Sequence, residues 1–395
     1  VWRDHPSVRA GRNLRLDFGV KIQQDWRNPG DEPVDFQTWQ LHRARAGVDG
    51  ELFRKIQFSI EREFSERLNV DHSGKPQKSQ WKDVWVEANI SDAFQVRAGN
   101  FKVPFGLDQT SGESNLDFVN RSLGGDYLSP GRDIGAAVHG RFYGRRLNYS
   151  IGGFRQDGEN SRSSKMAGGD LTFAGRAAVQ PFTRKSTKGE AEIGGSFATT
   201  ELSDASVLPN GLRGRTVLSN YTFFDSVFVK GTRRRMGVDF DWTKGPAGAR
   251  AEYMFVSDTR LDQGLGDQDL PAARGRAYYV LGSWVLTGER KVRPVEARKK
   301  GLGRGGVGAI ELAARFDRLL FDSKAGVDIP FRNSRAETIL PSDDKVITIG
   351  VTYYANRFVK IQLNGIREQL EDAQRSPTSS SKPFWSTVTR FQFAL

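Results

Sequence analysis

Asn13-Leu-Arg-Leu-Asp-Phe-Gly-Val-Lys-Ile-Gln-Gln-Asp25 decides the class of fold. Leu14, Leu16, Phe18, Val20 and Ile22 alternate with Arg15, Asp17, Gly19, Lys21 and Gln23. A period of two gives a strand one apolar and one polar face. The rhythm returns at residues 38–49, 54–64, 80–90, 93–101, 132–143, 146–156, 169–180, 189–200, 234–243, 248–257, 274–286, 306–318, 344–355, 357–368 and 384–395, which predicts sixteen strands with the first. No run approaches the ~18–20 consecutive apolar residues of a spanning helix. A mean hydropathy of −0.54 is still compatible with a strand-built membrane wall, because polar residues on the water side of each strand dilute its signal.

The connections alternate in length. Residues 26–37, 65–79, 102–131, 157–168, 201–233, 258–273, 319–343 and 369–383 are long, whereas 50–53, 91–92, 144–145, 181–188, 244–247 and Asn356 are short. Tight turns at one rim and long loops at the other are the plan of an outer-membrane barrel. The exception is 287–305, a long basic connection where a tight turn is due. Trp26, Trp39, Trp81, Trp242, Trp284 and Trp385 fall near predicted strand ends, where amphipathic rings settle at headgroup level. The final strand carries Thr389, Phe391, Phe393 and Leu395 on one face and Arg390 and Gln392 on the other, and pairing it with the first strand would leave no free edge. The expected organisation is an N-terminal periplasmic segment, 1–12, and a single barrel domain, 13–395.

The segment 102–131 has no sustained period, is rich in Gly, Ser, Asn and Asp, and lies between two clean strands. A compact domain keeps so long a segment when it is functional or disordered. Its apolar and charged ends fit a loop folded inward to narrow a pore.

The formal net charge is +12, from 59 Lys+Arg against 47 Asp+Glu. The cations are interleaved through the strands, so the sign belongs to a face of the fold and favours anionic partners. Arg97, Arg141, Arg176, Arg250 and Arg315 read individually as solvated lumen residues acting through their summed field. Cysteine is absent, which excludes disulfides and thiolate chemistry. His5, His42, His72 and His139 show no metal-ligand spacing, so no metal or cofactor is expected. Gly301-Leu-Gly-Arg-Gly-Gly306 matches a dinucleotide fingerprint by letter but lacks the strand before it and the helix after it. No Gly-x-Ser-x-Gly elbow or paired acid and base marks an enzyme. A soluble nucleic-acid surface is disfavoured by apolar faces repeated around sixteen segments.

Several stretches resemble the phosphate-selective porin O and P family of Gram-negative outer membranes. They are Leu41-His-Arg-Ala-Arg45, Lys55-Ile-Gln-Phe-Ser-Ile60, Val96-Arg-Ala-Gly-Asn-Phe101 with Phe105-Gly-Leu-Asp108, Tyr279–Glu289, Ala309-Ile-Glu-Leu-Ala-Ala-Arg-Phe-Asp317, and Thr348-Ile-Gly-Val-Thr-Tyr-Tyr-Ala-Asn356 with Val359-Lys-Ile361. The resemblance implies an all-β, sixteen-stranded antiparallel transmembrane barrel, a homotrimer in outer-membrane lipid, whose third long loop folds into the lumen. It also implies an arginine-ringed constriction. This chain offers His42 and Arg43 for an adjacent arginine pair, Arg121 for the loop arginine, and Gln109 where the family has a lysine. Arg45 shares the face of Arg43, and Lys82 and Arg97 add lumen charge; Arg213 and Arg215 stand for arginines of the fifth long loop. The expected function is an anion-preferring diffusion channel for phosphate or other small anions. A non-selective general porin and a structural barrel anchoring an envelope complex are the alternatives.

Overall fold

The computed structural model describes residues 6–32, 36–65, 67–70, 76–77, 81–160, 171–183, 186–203, 209–297, 306–323, 334–371 and 382–395. His5, His72 and Gly301–Gly305 lie outside the described residues. The wall consists of sixteen strands: β1 Leu14–Asn28, β2 Trp39–Leu52, β3 Ile56–Glu63, β4 Trp81–Ser91, β5 Phe94–Lys102, β6 Arg132–Phe142, β7 Leu147–Phe154 and β8 Thr172–Phe182. It continues with β9 Glu190–Leu202, β10 Gly231–Lys244, β11 Ala247–Arg260, β12 Leu270–Val285, β13 Ala309–Ser323, β14 Ser342–Tyr354, β15 Val359–Leu370 and β16 Phe384–Ala394. Each strand pairs antiparallel with the next, and β16 pairs back onto β1 from Ala394↔Lys21 to Thr387↔Asn28. Closure removes every edge from the wall, as hydrocarbon requires. The short strand Ser7–Ala10 folds back on β1, so the N-terminal segment extends the wall as a hairpin.

Burial alternates along the strands as the sequence predicts. In β16, Phe384, Ser386, Val388, Arg390 and Gln392 are buried towards the lumen while Trp385 and Phe391 are exposed. Ile22, Ile134, Ile151, Val238, Val280 and Leu363 are exposed in the same manner on other strands. Hydrocarbon around such a side chain is worth roughly 1.5–3 kcal/mol relative to water. Trp26, Trp39, Trp81 and Trp385 mark the ends that enter long loops, Trp26 stacking on Trp39 with centroids 6.3 Å apart. Trp284 and Trp242 mark the opposite rim, the latter donating Nε1–H to the Lys188 carbonyl at 2.9 Å. Two aromatic belts on one closed wall are the pattern of a bilayer-spanning barrel.

The apolar core of this molecule sits inside the ring. Residues 209–230 of the fifth long loop (L5) pack Leu212, Leu218, Phe223, Phe224, Val227 and Val229 against luminal wall residues that include Phe321, Val346, Ile366 and Val388. Phe224 stacks flat on Phe321 with centroids 4.2 Å apart.

Candidate pore constriction

The third long loop, L3, runs from Val103 to Gly131 between β5 and β6 and folds into the lumen. It contains two short helices the sequence does not announce, α1 Leu107–Thr110 and α2 Leu123–Tyr127. The turn into α1 needs a positive φ of 74° at Gly106, and a Cβ there would lie 2.8 Å from Glu252 Oε1 and from the Met254 methyl. Only glycine meets both demands. Ser122 caps α2 by accepting from the Gly125 N–H at 3.1 Å.

The barrel wall holds L3 through the loop's own backbone. Ser196 accepts from the Gly106 N–H at 3.1 Å, and Glu252 accepts from the Leu107 and Asp108 N–H groups at 2.7 and 3.1 Å. Asp317 accepts from Leu123 N–H at 2.8 Å, and Asn364 Oδ1 accepts from Val119 N–H at 2.8 Å. Lys360 Nζ donates to the Leu116 carbonyl at 3.0 Å, Arg390 to that of Val119 at 2.8 Å, and Arg315 to those of Asn120 and Arg121 at 3.1 and 3.0 Å. Gly350 leaves room for Phe118, whose ring carbon would be 3.0 Å from an added Cβ. Charged groups on buried carbonyls and N–H groups give stronger bonds than neutral ones. The loop is therefore fixed against β9, β11, β13, β15 and β16.

Its far side meets β2 and β3. A β-bulge between Gln23 and Gln24 of β1 and Arg43 and Leu41 of β2 gives His42 the extra position. His42 Nδ1 consequently lies 3.5 Å from Asp25 Oδ2, with Arg43 beside it pointing inward. Glu113 of L3 receives Arg43 Nε at 3.0 Å and Arg45 Nη1 at 2.7 Å, with Arg132 Nη1 at 4.0 Å. Arg45 also contacts Glu63 at 2.6 Å and Glu61 at 3.1 Å, Lys21 reaches Glu61 at 2.6 Å, and Arg45 Nη2 is buried without a hydrogen-bond partner. Burial alone would raise the Glu113 carboxyl; Arg43, Arg45, Arg132 and Arg121 outweigh it and hold the group well below the usual carboxylate range. A depressed folded-state pKa contributes stability above the ordinary glutamate value of about 4.3, which is lost as pH falls through the depressed one. The difference in permeability ratio between the parent and Glu113→Gln is accordingly expected to hold from neutral pH down to about 4.3 and to fade only under stronger acid. A difference that fades near neutrality in bilayer recordings would contradict this.

The structure thus brings Arg43 and Arg45 to the loop, whereas the His42 ring stays on Asp25 of β1. Arg121 stays within L3, donating to the Asp108 carbonyl and, at 3.0 Å, to that of Ser111. Gln109 is buried in α1, and its carbonyl accepts from Lys102 at 2.8 Å, so a cation approaches this position from the wall. Lys82 pairs with Glu159 at 2.7 Å, and Arg97 with Glu87 at 2.6 Å beneath the Trp85 ring. Arg213 and Arg215 lie in L5, where Arg213 Nε donates to Ser226 at 2.8 Å. The lumen is not uniformly basic: buried carboxylates outnumber buried Lys and Arg side chains among the described residues.

Sequence reasoning missed the two luminal contributors Lys291 and Arg293. Past Val285 the long connection turns into the barrel mouth, and Lys291 is fully buried with Nζ on Asp117 of L3 and Glu311 of β13. Arg293 bridges Asp117 at 3.4 Å and Asp241 at 3.0 Å, and Val295 packs with Val285, Ala309 and Tyr354. The basic composition of 287–305 was the available signal. His139 lies 2.8 Å from Glu87, and no metal-holding cluster occurs among the described residues.

A closed sixteen-stranded wall with belts of tryptophan and a loop fixed across its lumen defines an outer-membrane porin barrel. The profile of the family described as phosphate-selective porin O and P matches residues 8–395, and the chain belongs to that family. It is located in the bacterial outer membrane and is a channel protein, not an enzyme. A search of curated proteins found no match. Among solved structures, the anion-selective porin from Comamonas acidovorans is similar at 13% identity and a TM-score of 0.57, covering 97% of this chain and 100% of that one. OmpF of Salmonella typhi in complex with daunomycin gives 10% identity and a TM-score of 0.59 over 99% and 100% of the chains. The trimer form of OmpT of Vibrio cholerae gives 10%, 0.55, and coverage of 97% and 100%. At such identities the likeness concerns the fold.

Proposed function

We propose that the chain forms a water-filled channel preferring small anions, phosphate among them, and that it works as a homotrimer. The observation that carries the preference is the charge balance where L3 meets the wall. Lys21, Lys82, Arg43, Arg45, Arg121 and Arg132 exceed Glu61, Glu63, Asp83, Glu113 and Glu159 around that contact. A surplus of fixed cations in a narrow, low-dielectric passage concentrates anions and excludes cations. Arginine forks match the oxygens of tetrahedral oxyanions, while the carboxylates beside them keep binding weak enough for release. The trimer rests on the family and on the trimeric form of the OmpT relative.

The test is reversal potential in a potassium chloride gradient for the purified protein in planar bilayers. The parent is expected to be anion-selective, and the triple variant R43Q/R45Q/R121Q to lose that selectivity. An unchanged ratio in the triple variant, with normal heat-dependent gel mobility, would overturn the assignment. Added phosphate, sulfate and organic anions then rank the solutes, and block of chloride current by micromolar phosphate is the outcome expected of a phosphate channel.

A second reading, a barrel closed to solutes and serving as an anchor, is favoured by one feature: the apolar residues of L5 packed inside the wall. Absence of single-channel steps would support it.

A further inference from the structure

We propose that Asp344 of β14 and Glu368 of β15 hold one proton between them, and that this shared proton seats the tip of L5 on the wall and lets it go as pH rises. Val346 lies directly opposite Glu368, and Asp344, Val346, Ile366 and Glu368 are all buried on the inner side. Asp344 and Glu368 are therefore diagonal neighbours on the luminal surface. Their carboxyl groups are within hydrogen-bond reach of each other. Two carboxylates offer acceptors alone, so the contact requires that one of them carry a proton and donate it. Glu368 stands opposite Phe384, one residue to the loop side of the Arg367–Trp385 pair, so the contact lies at the barrel mouth, past the tryptophan belt.

The surroundings supply no other counter-charge. Among the described residues no Lys or Arg forms an ion pair with Asp344 or Glu368. The charged groups that face the two are Asp317 of β13, Asp343 of β14 and Glu32 of the first long loop, acidic without exception. The nearby guanidiniums are turned elsewhere, Arg315 to Asp317 at 3.6 Å and Arg318 to Asp343 at 2.9 Å. Both oxygens of Asp344 and Oε2 of Glu368 lack a donor. So do Thr348 Oγ1 and Ser386 Oγ, which sit diagonally on either side of Glu368 and are 2% and 1% exposed. A buried charge left unanswered is neutralised. One proton answers the contact, and the two hydroxyls remain to donate to the charge that is left. No group of three acidic or histidine side chains that could hold a metal ion occurs among the described residues, so a metal does not replace the proton.

Glu368 uses its other oxygen on L5. Oε1 accepts from the Val217 N–H at 3.0 Å, and Glu32 lies against the hydroxyls of Thr216 and Ser219, which bond each other at 2.7 Å. Leu218, between them, is buried in the apolar cluster with Val346, Ile366 and Val388. Loss of the proton places two like charges in contact under this tip. Free carboxyls, with ordinary values of about 3.9 and 4.3, would already have lost it at neutral pH, so a seat that keeps it loses stability as pH rises. The base of L5 does not share this dependence: Arg260 donates to the Phe228 carbonyl at 3.2 Å, and Phe224 stacks on Phe321. The tip moves while the base stays. The latch does not depend on the anion preference proposed above.

The chain has no cysteine, so Leu218→Cys puts a single thiol in the seat, and Gln268→Cys puts one in an exposed loop as reference for the thiol's own ionisation. The ratio of their rates with a charged, water-soluble methanethiosulfonate is measured on the full protein in detergent from about pH 6 to about pH 10. With Asp344 and Glu368 in place the ratio is expected to rise roughly ten-fold across that range. With E368Q added it is expected to keep its low-pH value, because the amide donates to Asp344 and its oxygen still accepts from Val217. A ratio flat with pH in the parent background, or an undiminished rise with E368Q, would overturn the proposal. So would a rise on adding a chelator at neutral pH, which would make the pair a metal site. Should E368Q not fold, D344N relieves the same contact and is expected to give the same flat profile, an undiminished rise again counting against the proposal. Infrared spectra at neutral pH are a check without cysteines: the parent is expected to show a carboxylic-acid C=O stretch that D344N lacks, and identical spectra would show that no proton is held there.

Discussion

Glu113→Gln is expected to raise the anion-to-cation permeability ratio about five-fold, because a unit charge ~4 Å from a passing ion is worth ~1 kcal/mol even at the dielectric of water. Glu113 is the one acidic group that L3 itself presents to Arg43 and Arg45. Neutralising it leaves both guanidiniums at the passage and removes the charge that repels anions there. The amide still accepts one hydrogen bond, so the loop keeps its place through its backbone anchors to Glu252, Asp317 and Asn364. The measurement is reversal potential in a salt gradient beside the parent. A ratio that falls or does not move would mean that ions pass on another side of L3.

The second large effect is on stability. Asp157, just past β7, is 1% exposed and accepts from both Arg233 and Arg235 of β10, themselves fully buried; Arg233 continues to Asp258 of β11 at 2.6 Å. Asp157→Ala would take from Arg235 both of its bonds to this carboxylate, while the Leu128 carbonyl 2.8 Å away remains, and would take one carboxylate from Arg233. Removing one member of a buried ionic cluster costs ~3–5 kcal/mol, since an uncompensated charge remains. The expected result is a lower urea midpoint for unfolding from lipid vesicles, with D157N intermediate. A midpoint equal to the parent's would show that water already solvates these guanidiniums.

The wall was legible because its signal is repeated. An alternation such as Leu14 to Ile22 survives one irregular position, and the turn lengths give an independent check on every second strand. Strand ends were less legible where outward residues are charged. Residues 306–318 were predicted for β13, which runs Ala309–Ser323, because Arg318 and Asp322 break the apolar alternation while the backbone ladder continues to Ser323↔Ala273. Of the constriction, Arg43 and Arg45 could be placed because they sit on a strand whose parity fixes their side. Glu113, Asp117, Lys291 and Arg293 could not, since they lie on loops with no period and are positioned by contacts far away in sequence. The +12 formal charge also misled about the interior, where most cations meet a carboxylate.

L3 is gripped by side chains from β9, β11, β13, β15 and β16 and, through Glu113, from β2, which makes it a spoke inside a hoop as well as an obstacle in a tube. Squeezing the ring sideways must load that spoke, so the solute path and the mechanical shape of the wall are coupled.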